Sequence, residues 1–284
     1  MATCGIYQIA NHTRSRVVCE AAQVGLKAAG YQAPRVPQQH YSGPMFDFAL
    51  FYGLVGNTPK LFKEYPRAGK PALYADLGYF GRKEGGRWSG FHKICRNSRH
   101  PTGYYRKVKH PPDRFNALEE TIQPWRKGGR NVVVCGTSDK GAWAEGFRPG
   151  EWEAQTIAEL RKHTDRPIVY RPKPSWDGRF PIPGAEYRHI PGLLAHELKN
   201  AHAVVCHHSN AAVEAIVQGV PAFCWHGVAK EMSLQDLAKI ETPHYPEDRE
   251  QWCWDLSYTQ FSIAELQTAH PWQHLASEGL IPPP

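Results

Sequence analysis

The sequence predicts an α/β protein made of two Rossmann-like domains that face each other across a cleft. Three observations lead there. The 284 residues are enough for two domains of roughly 120–150 residues, each able to bury a core. Strand-like and helix-like patterns alternate twice along the chain. The second series starts afresh after the linker-like Arg126-Lys127-Gly128-Gly129-Arg130. The expected division is 1–127, 128–250 and a tail at 251–284.

In the first series, residues 4–9 read as a short strand. A polar stretch holding His12 follows, then a helical pattern over 17–29 that Gly30 stops. Residues 48–53 and 71–76 are the next strands. Residues 82–114 carry little apolar periodicity and read as a long loop, and 116–125 as a short helix. The second series opens on Asn131-Val132-Val133-Val134-Cys135, a continuous β-rich run of the kind a buried parallel strand needs. Gly136, Thr137 and Ser138 come next, then a helix at 151–163, a strand at 167–171 and a helix at 193–200. A strand at 203–206, a helix at 211–218 stopped by Gly219, and a strand at 221–225 complete the series.

Composition narrows the class. With 41% hydrophobic residues and nine Trp, the chain is too apolar to be disordered overall. No apolar run reaches the roughly 18–20 residues of a membrane span, and the start has no signal-peptide pattern. A soluble, cytoplasmic protein is expected (in the host cytoplasm if viral). The seven cysteines are scattered without a C-x-x-C pair, which argues against a disulfide framework or a zinc knuckle. Charge is uneven: residues 1–127 hold 20 Lys/Arg and 8 Asp/Glu, whereas 128–284 hold 14 and 19. The excess concentrates in 82–114, where Arg82, Lys83, Arg87, Arg96, Arg99, Arg106, Lys107 and Lys109 interleave with Trp88, Tyr104 and Tyr105. Cations that track phosphates and aromatics that stack on bases are the pattern of a nucleic-acid surface; a solvated loop is the plain alternative.

The most informative stretch runs from Cys206 to Pro221. Ser209 or Asn210 stands where a helix N-cap belongs, and the amides of that first turn suit a phosphate or diphosphate. Glu214, one turn in, is placed to accept hydrogen bonds from sugar hydroxyls. His207, Ser209, Glu214, Ala215, Gly219 and Pro221 fit an H-x-S-x-x-x-x-E-A-x-x-x-G-x-P pattern. The stretch resembles the donor-site strand–loop–helix of GT-B glycosyltransferases, particularly those of the capsular-polysaccharide type. Arg171-Pro172-Lys173-Pro174 and Asp76-Leu77-Gly78-Tyr79 are weaker similarities to elements of the same superfamily. The resemblance implies donor-binding roles for Ser209, Asn210 and Glu214, with His207 and His208 beside them. It also implies a C-terminal tail that packs back on the N-terminal domain.

The chemistry of such a transfer leaves negative charge on the departing diphosphate, which cations and amides must meet. Arg171, Lys173 and the Gly136-Thr137-Ser138 turn lie at strand ends where they could do so. No D-x-D motif is present, so the expectation is a metal-independent enzyme without a cofactor, using a nucleotide sugar, UDP-linked in the first instance, as co-substrate. His207, His208 and His226 do not read as a metal cluster, because adjacent side chains on a strand diverge. A base for the acceptor hydroxyl is sought in Asp76 and His12, with Asp76 ahead because it adjoins the basic segment. The charge asymmetry points to DNA carrying a hydroxymethylated pyrimidine as acceptor, as for the bacteriophage glycosyltransferases that mask viral genomes. A surface glycan is the alternative acceptor; a non-catalytic DNA-binding protein and a sugar-nucleotide epimerase are the other readings.

Overall fold

A computed structural model describes residues 1–82, 90–118, 120–174, 176–189 and 194–284. It divides into two compact units, Met1–Glu120 with Trp254–Pro284, and Thr121–Cys253. The chain begins β1 (Cys4–Gln8), α1 (Thr13–Ala28), β2 (Arg35–Pro37), β3 (Phe48–Tyr52), α2 (Thr58–Arg67), β4 (Ala72–Leu77), β5 (His92–Arg96) and α3 (Asp113–Asn116). It continues β6 (Asn131–Cys135), α4 (Asp139–Ala144), α5 (Glu151–Leu160), β7 (Ile168–Arg171), β8 (Glu186–Tyr187), α6 (Leu194–Leu198), β9 (Ala201–Cys206), α7 (Ala211–Val217) and β10 (Ala222–Cys224). It ends α8 (Arg249–Ser257), β11 (Gln260–Phe261), α9 (Ile263–Leu266) and α10 (His270–Ser277). The division between units falls inside α8.

The first unit is a six-stranded sheet in the order β11-β5-β4-β3-β1-β2. β1 to β4 are parallel, β5 is antiparallel to β4, and β11 is antiparallel to β5. β3 is buried along its whole length, as a parallel strand covered on both faces should be. One face packs Leu50, Leu73 and Ile94 with Val18, Leu26, Leu266 and Trp272. The other packs Tyr7, Phe51 and Tyr74 with Leu61 and Tyr65 of α2. The contact between α1 and the tail is tight at Gly25, where a Cβ would lie 2.2 Å from the Leu266 carbonyl oxygen and 2.4 Å from Trp272 Nε1. Only glycine lets these segments approach so closely.

Two expectations for residues 82–125 fail. Residues 82–114 are not one long loop, because His92–Arg96 forms β5 and is buried through Cys95. Its basic residues hid the strand: Lys93 is buried with its ammonium over the rings of Tyr74 and Tyr79, at 5.7 and 5.2 Å. Among the described residues of 116–125, no helix continues beyond Asn116. Helix α3 spans only Asp113–Asn116, and the backbone N–H groups of Gln123 and Arg126 donate instead to the Val217 and Gly219 carbonyls at the end of α7, each at 2.8 Å. Helix α1 starts earlier than the apolar pattern implies, at Thr13, because His12 caps it by accepting from the Ser15 N–H at 3.1 Å.

The second unit is a five-stranded, wholly parallel sheet in the order β10-β9-β6-β7-β8. Its core joins Val132, Val134, Ile168 and Val205 to Trp152, Ile157 and Leu160 of α5. Counted from β8, the strands run third, second, first, fourth, fifth along the chain. That is the Rossmann order, and it reverses direction between β6 and β9. Loops leaving the carboxyl ends of those two strands part from each other there, which is where α/β sheets bind ligands. All seven cysteines are buried and no disulfide forms. Among the described residues, no helix is long and apolar enough to cross a membrane.

Candidate functional site

Cys135 pairs in register with both Arg171 and Cys206, so β7, β6 and β9 end together at the switch point. Beyond β6 the Gly136 N–H donates to the Arg171 carbonyl at 2.9 Å. A Cβ on Gly136 would meet the Tyr170 ring at 2.9 Å, so the glycine is needed for this loop to lie over β7. The Thr137 N–H and hydroxyl both donate to Glu153 Oε1, at 2.6 and 3.0 Å. Ser138 caps α4 by accepting from the Gly141 N–H at 3.2 Å. Glu153, wholly buried on α5, thus fixes the loop. Sequence reasoning missed it, because a glutamate in the first turn of a helix is also what a solvated, dipole-compensating residue looks like.

Beyond β9, the Ser209 hydroxyl accepts from the Ala211 N–H at 3.2 Å. Asn210 occupies the cap position of α7 but makes no capping bond with its side chain, so the cap belongs to Ser209. Glu214 is the half-buried residue of an otherwise buried α7. Burial pushes the Cys135 thiol up, with Arg171 opposing and Glu214 adding to the shift. One cation, Arg171, and two carboxylates, Glu214 and Glu197, therefore act on the same strand end. Arg171 is half-buried, and Lys173, two residues on, is exposed.

The two histidines do not diverge as a strand would make them. β9 stops at Cys206, both residues lie in the turn beyond it, and their Nδ1 atoms face each other at 2.9 Å.

In the first unit, His12 follows β1, Tyr52 ends β3 and Asp76 lies near the end of β4. Asp76 accepts from the Tyr74 hydroxyl at 2.6 Å, the Leu77 N–H at 2.8 Å and the Tyr52 hydroxyl at 3.3 Å. The His12 ring sits 5.7 Å from that of Tyr52. Burial, then the charge of Asp76, pushes the Tyr52 and Tyr74 phenols upward. Both stay protonated donors to Asp76 at neutral pH. The Gly78-Tyr79-Phe80 turn is held by the buried Gln260, whose Oε1 accepts from the Tyr79 and Phe80 N–H groups at 2.7 and 3.0 Å.

His92, opposite Leu77, is pushed down to about 4 by burial. Between its ordinary value of 6.5 and about 4, the unfolded chain binds a proton that the folded chain refuses. Stability should therefore fall on acidification through this window, by up to about 1.4 kcal/mol per pH unit. Urea denaturation from about pH 7 to about pH 4.5 checks this: His92→Leu should lessen the slope, leaving the part owed to His274, which burial also pushes down to about 4, and an unchanged slope would remove the assignment.

The basic segment is built differently from the sequence expectation. Lys83, Arg87 and Trp88 lie outside the described residues, and Arg82 is half-buried. Tyr105 is 3% exposed and cannot stack on a base. Tyr104 packs on the core and accepts from the Arg96 N–H at 3.2 Å. Arg96 donates to the Gly279 carbonyl at 3.0 Å, and Arg106 lies 3.9 Å from the buried Asp255. Arg99, Lys107 and Lys109 are exposed. The chain leaves β5 at Arg96, which pairs with Leu73 at the start of β4, whereas Asp76 pairs with Lys93. These cations thus follow a strand that exits about 10 Å from Asp76, toward the opposite edge of the sheet. The adjacency that favoured Asp76 does not extend to them.

No protein-family model and no curated protein matches the chain. Solved structures do. A β-Kdo 2,4 transferase of KpsC from Thermosulfurimonas dismutans aligns over 93% of this chain and 98% of its own, with a TM-score of 0.55 at 10% identity. The β-Kdo 2,7 transferase of the same KpsC aligns over 95% and 99%, with a TM-score of 0.50 at 13% identity. The fold is that of the GT-B glycosyltransferases, as the 206–221 resemblance implies.

Proposed function

We propose that the chain is a glycosyltransferase that holds a nucleotide sugar at the β6/β9 edge of its second unit and transfers the sugar to a glycan hydroxyl. The single observation that carries the proposal is the alignment of Arg171, the Glu153-held Thr137 loop and the Ser209–Glu214 turn around a Rossmann switch point. In this reaction the bond from the anomeric carbon to the phosphate oxygen breaks, and the bond to the acceptor oxygen forms. The acceptor proton passes to Asp76, the assigned base, and the negative charge of the leaving diphosphate falls to Arg171, Lys173 and the loop amides. Donor hydroxyls are assigned to Glu214. UDP-linked sugars head the donor panel, and activated Kdo joins it because two similar folds are named as Kdo transferases.

A glycan is preferred to DNA because Tyr104 and Tyr105, two of the three aromatics expected to stack on bases, belong to the packing of the first unit. Hydroxymethylated DNA is the second acceptor reading, favoured by the 20 Lys/Arg against 8 Asp/Glu of residues 1–127. Transfer assays with oligosaccharide acceptors and with DNA containing hydroxymethylcytosine or hydroxymethyluracil, read by mass, separate the two. The proposal expects a sugar-sized gain on a glycan and a rate that changes little with salt. A gain on DNA, with affinity falling steeply as salt rises, would replace the glycan by DNA.

A further inference from the structure

The His207–His208 pair has a third member. Glu145 closes the C-terminal end of α4, and one ligand atom from each of Glu145, His207 and His208 lies within 4.8 Å of the other two. The elements that bring them together are short and well fixed. Ser138 caps α4, and the helix runs beside His208, whose Cε1 would lie 3.6 Å from a Cβ on Gly141. The His207 ring is buried against Phe147, Trp152 and His226, with ring centroids 5.6, 5.5 and 4.7 Å away. Its Nδ1 is thereby aimed at His208.

We infer that Glu145, His207 and His208 form a binding site for a divalent transition-metal ion of the zinc class. Two imidazoles and one carboxylate are the donor set such ions prefer, and three protein ligands leave a position for water or another oxygen. Neighbouring ligand nitrogens around a tetrahedral zinc are about 3.3 Å apart, so the observed 2.9 Å requires only a small parting of the rings. At that distance one Nδ1 carries the proton shared by the pair, and when the metal takes both nitrogens that proton moves to the Nε2 of the same ring, so both imidazoles bind as neutral ligands. Glu145 and His208 are half-buried, which leaves an approach for the ion on their side. The inference rests on these three side chains and not on the glycosyl-transfer reading.

The test uses the untagged full chain. Zinc titrated calorimetrically should bind one per chain. Glu145→Gln should weaken binding by at least about tenfold and His208→Ala by about 100-fold. Cobalt substituted at the site should give a visible spectrum without a thiolate charge-transfer band. Absence of saturable binding would overturn the site. So would affinity unchanged in both variants, or a thiolate band, which would place the metal on the cysteines instead.

Discussion

Asp76→Asn should lower kcat by about 10²–10⁴-fold, the usual contribution of a general base, while donor affinity stays within about twofold of wild type. The substitution keeps the shape of the side chain but offers one acceptor oxygen where the carboxylate offers two. Tyr52, Tyr74 and the Leu77 N–H must then share it, which should cost about 1–3 kcal/mol of stability. A thermal melt separates that cost from the loss of turnover. The comparison variant is His12→Ala. His12 accepts the Ser15 N–H at the start of α1, so its removal should cost about 1 kcal/mol through the lost cap and leave turnover within about tenfold. An active Asp76→Asn enzyme beside an inactive His12→Ala enzyme would transfer the role of base to His12.

The second large effect is expected at Arg171. Replacing it with alanine removes a charge-assisted partner of the donor diphosphate, worth about 1.5–3 kcal/mol, and should weaken donor binding by about 10–150-fold. The fold should survive, because β7 is held by its ladder to β6 and β8 and by the buried Ile168, Val169 and Tyr170. Glu214→Ala should act in the same direction through the sugar hydroxyls and more weakly, since neutral partners are involved. Donor titrations of the three proteins check the order. Equal affinities would remove both residues from the donor site.

Much of the fold could be read from the sequence because its parallel strands are short, continuous apolar runs bounded by glycine or proline. Asn131-Val132-Val133-Val134-Cys135 could be placed to the residue. The helix after His207-His208-Ser209-Asn210 ended where Gly219 requires, with φ at +73°. What escaped were elements whose polar residues are satisfied only by tertiary partners. β5 reads as basic loop until Lys93 is seen over two tyrosine rings. Residues 116–125 have helical composition, yet Gln123 and Arg126 give their N–H groups to the end of α7. For the candidate site, position in the fold decided what could be read. Residues at strand ends, such as Asp76 in the first sheet and Arg171 and Gly136 in the second, could be singled out because topology brings the ends of neighbouring parallel strands in one sheet to one edge. Glu153 and Glu145 could not, since one acts through burial and the other through a turn that folds α4 back toward His208.

The β6/β9 edge of the second unit is the proposed nucleotide-sugar site. Calorimetric titration of UDP-, CDP- and dTDP-sugars and of activated Kdo into the wild-type chain and into Arg171→Ala tests it most directly. At least one donor should bind the wild-type chain and bind Arg171→Ala at least about tenfold more weakly. Failure of every donor to bind, or equal binding by the two proteins, would contradict the account.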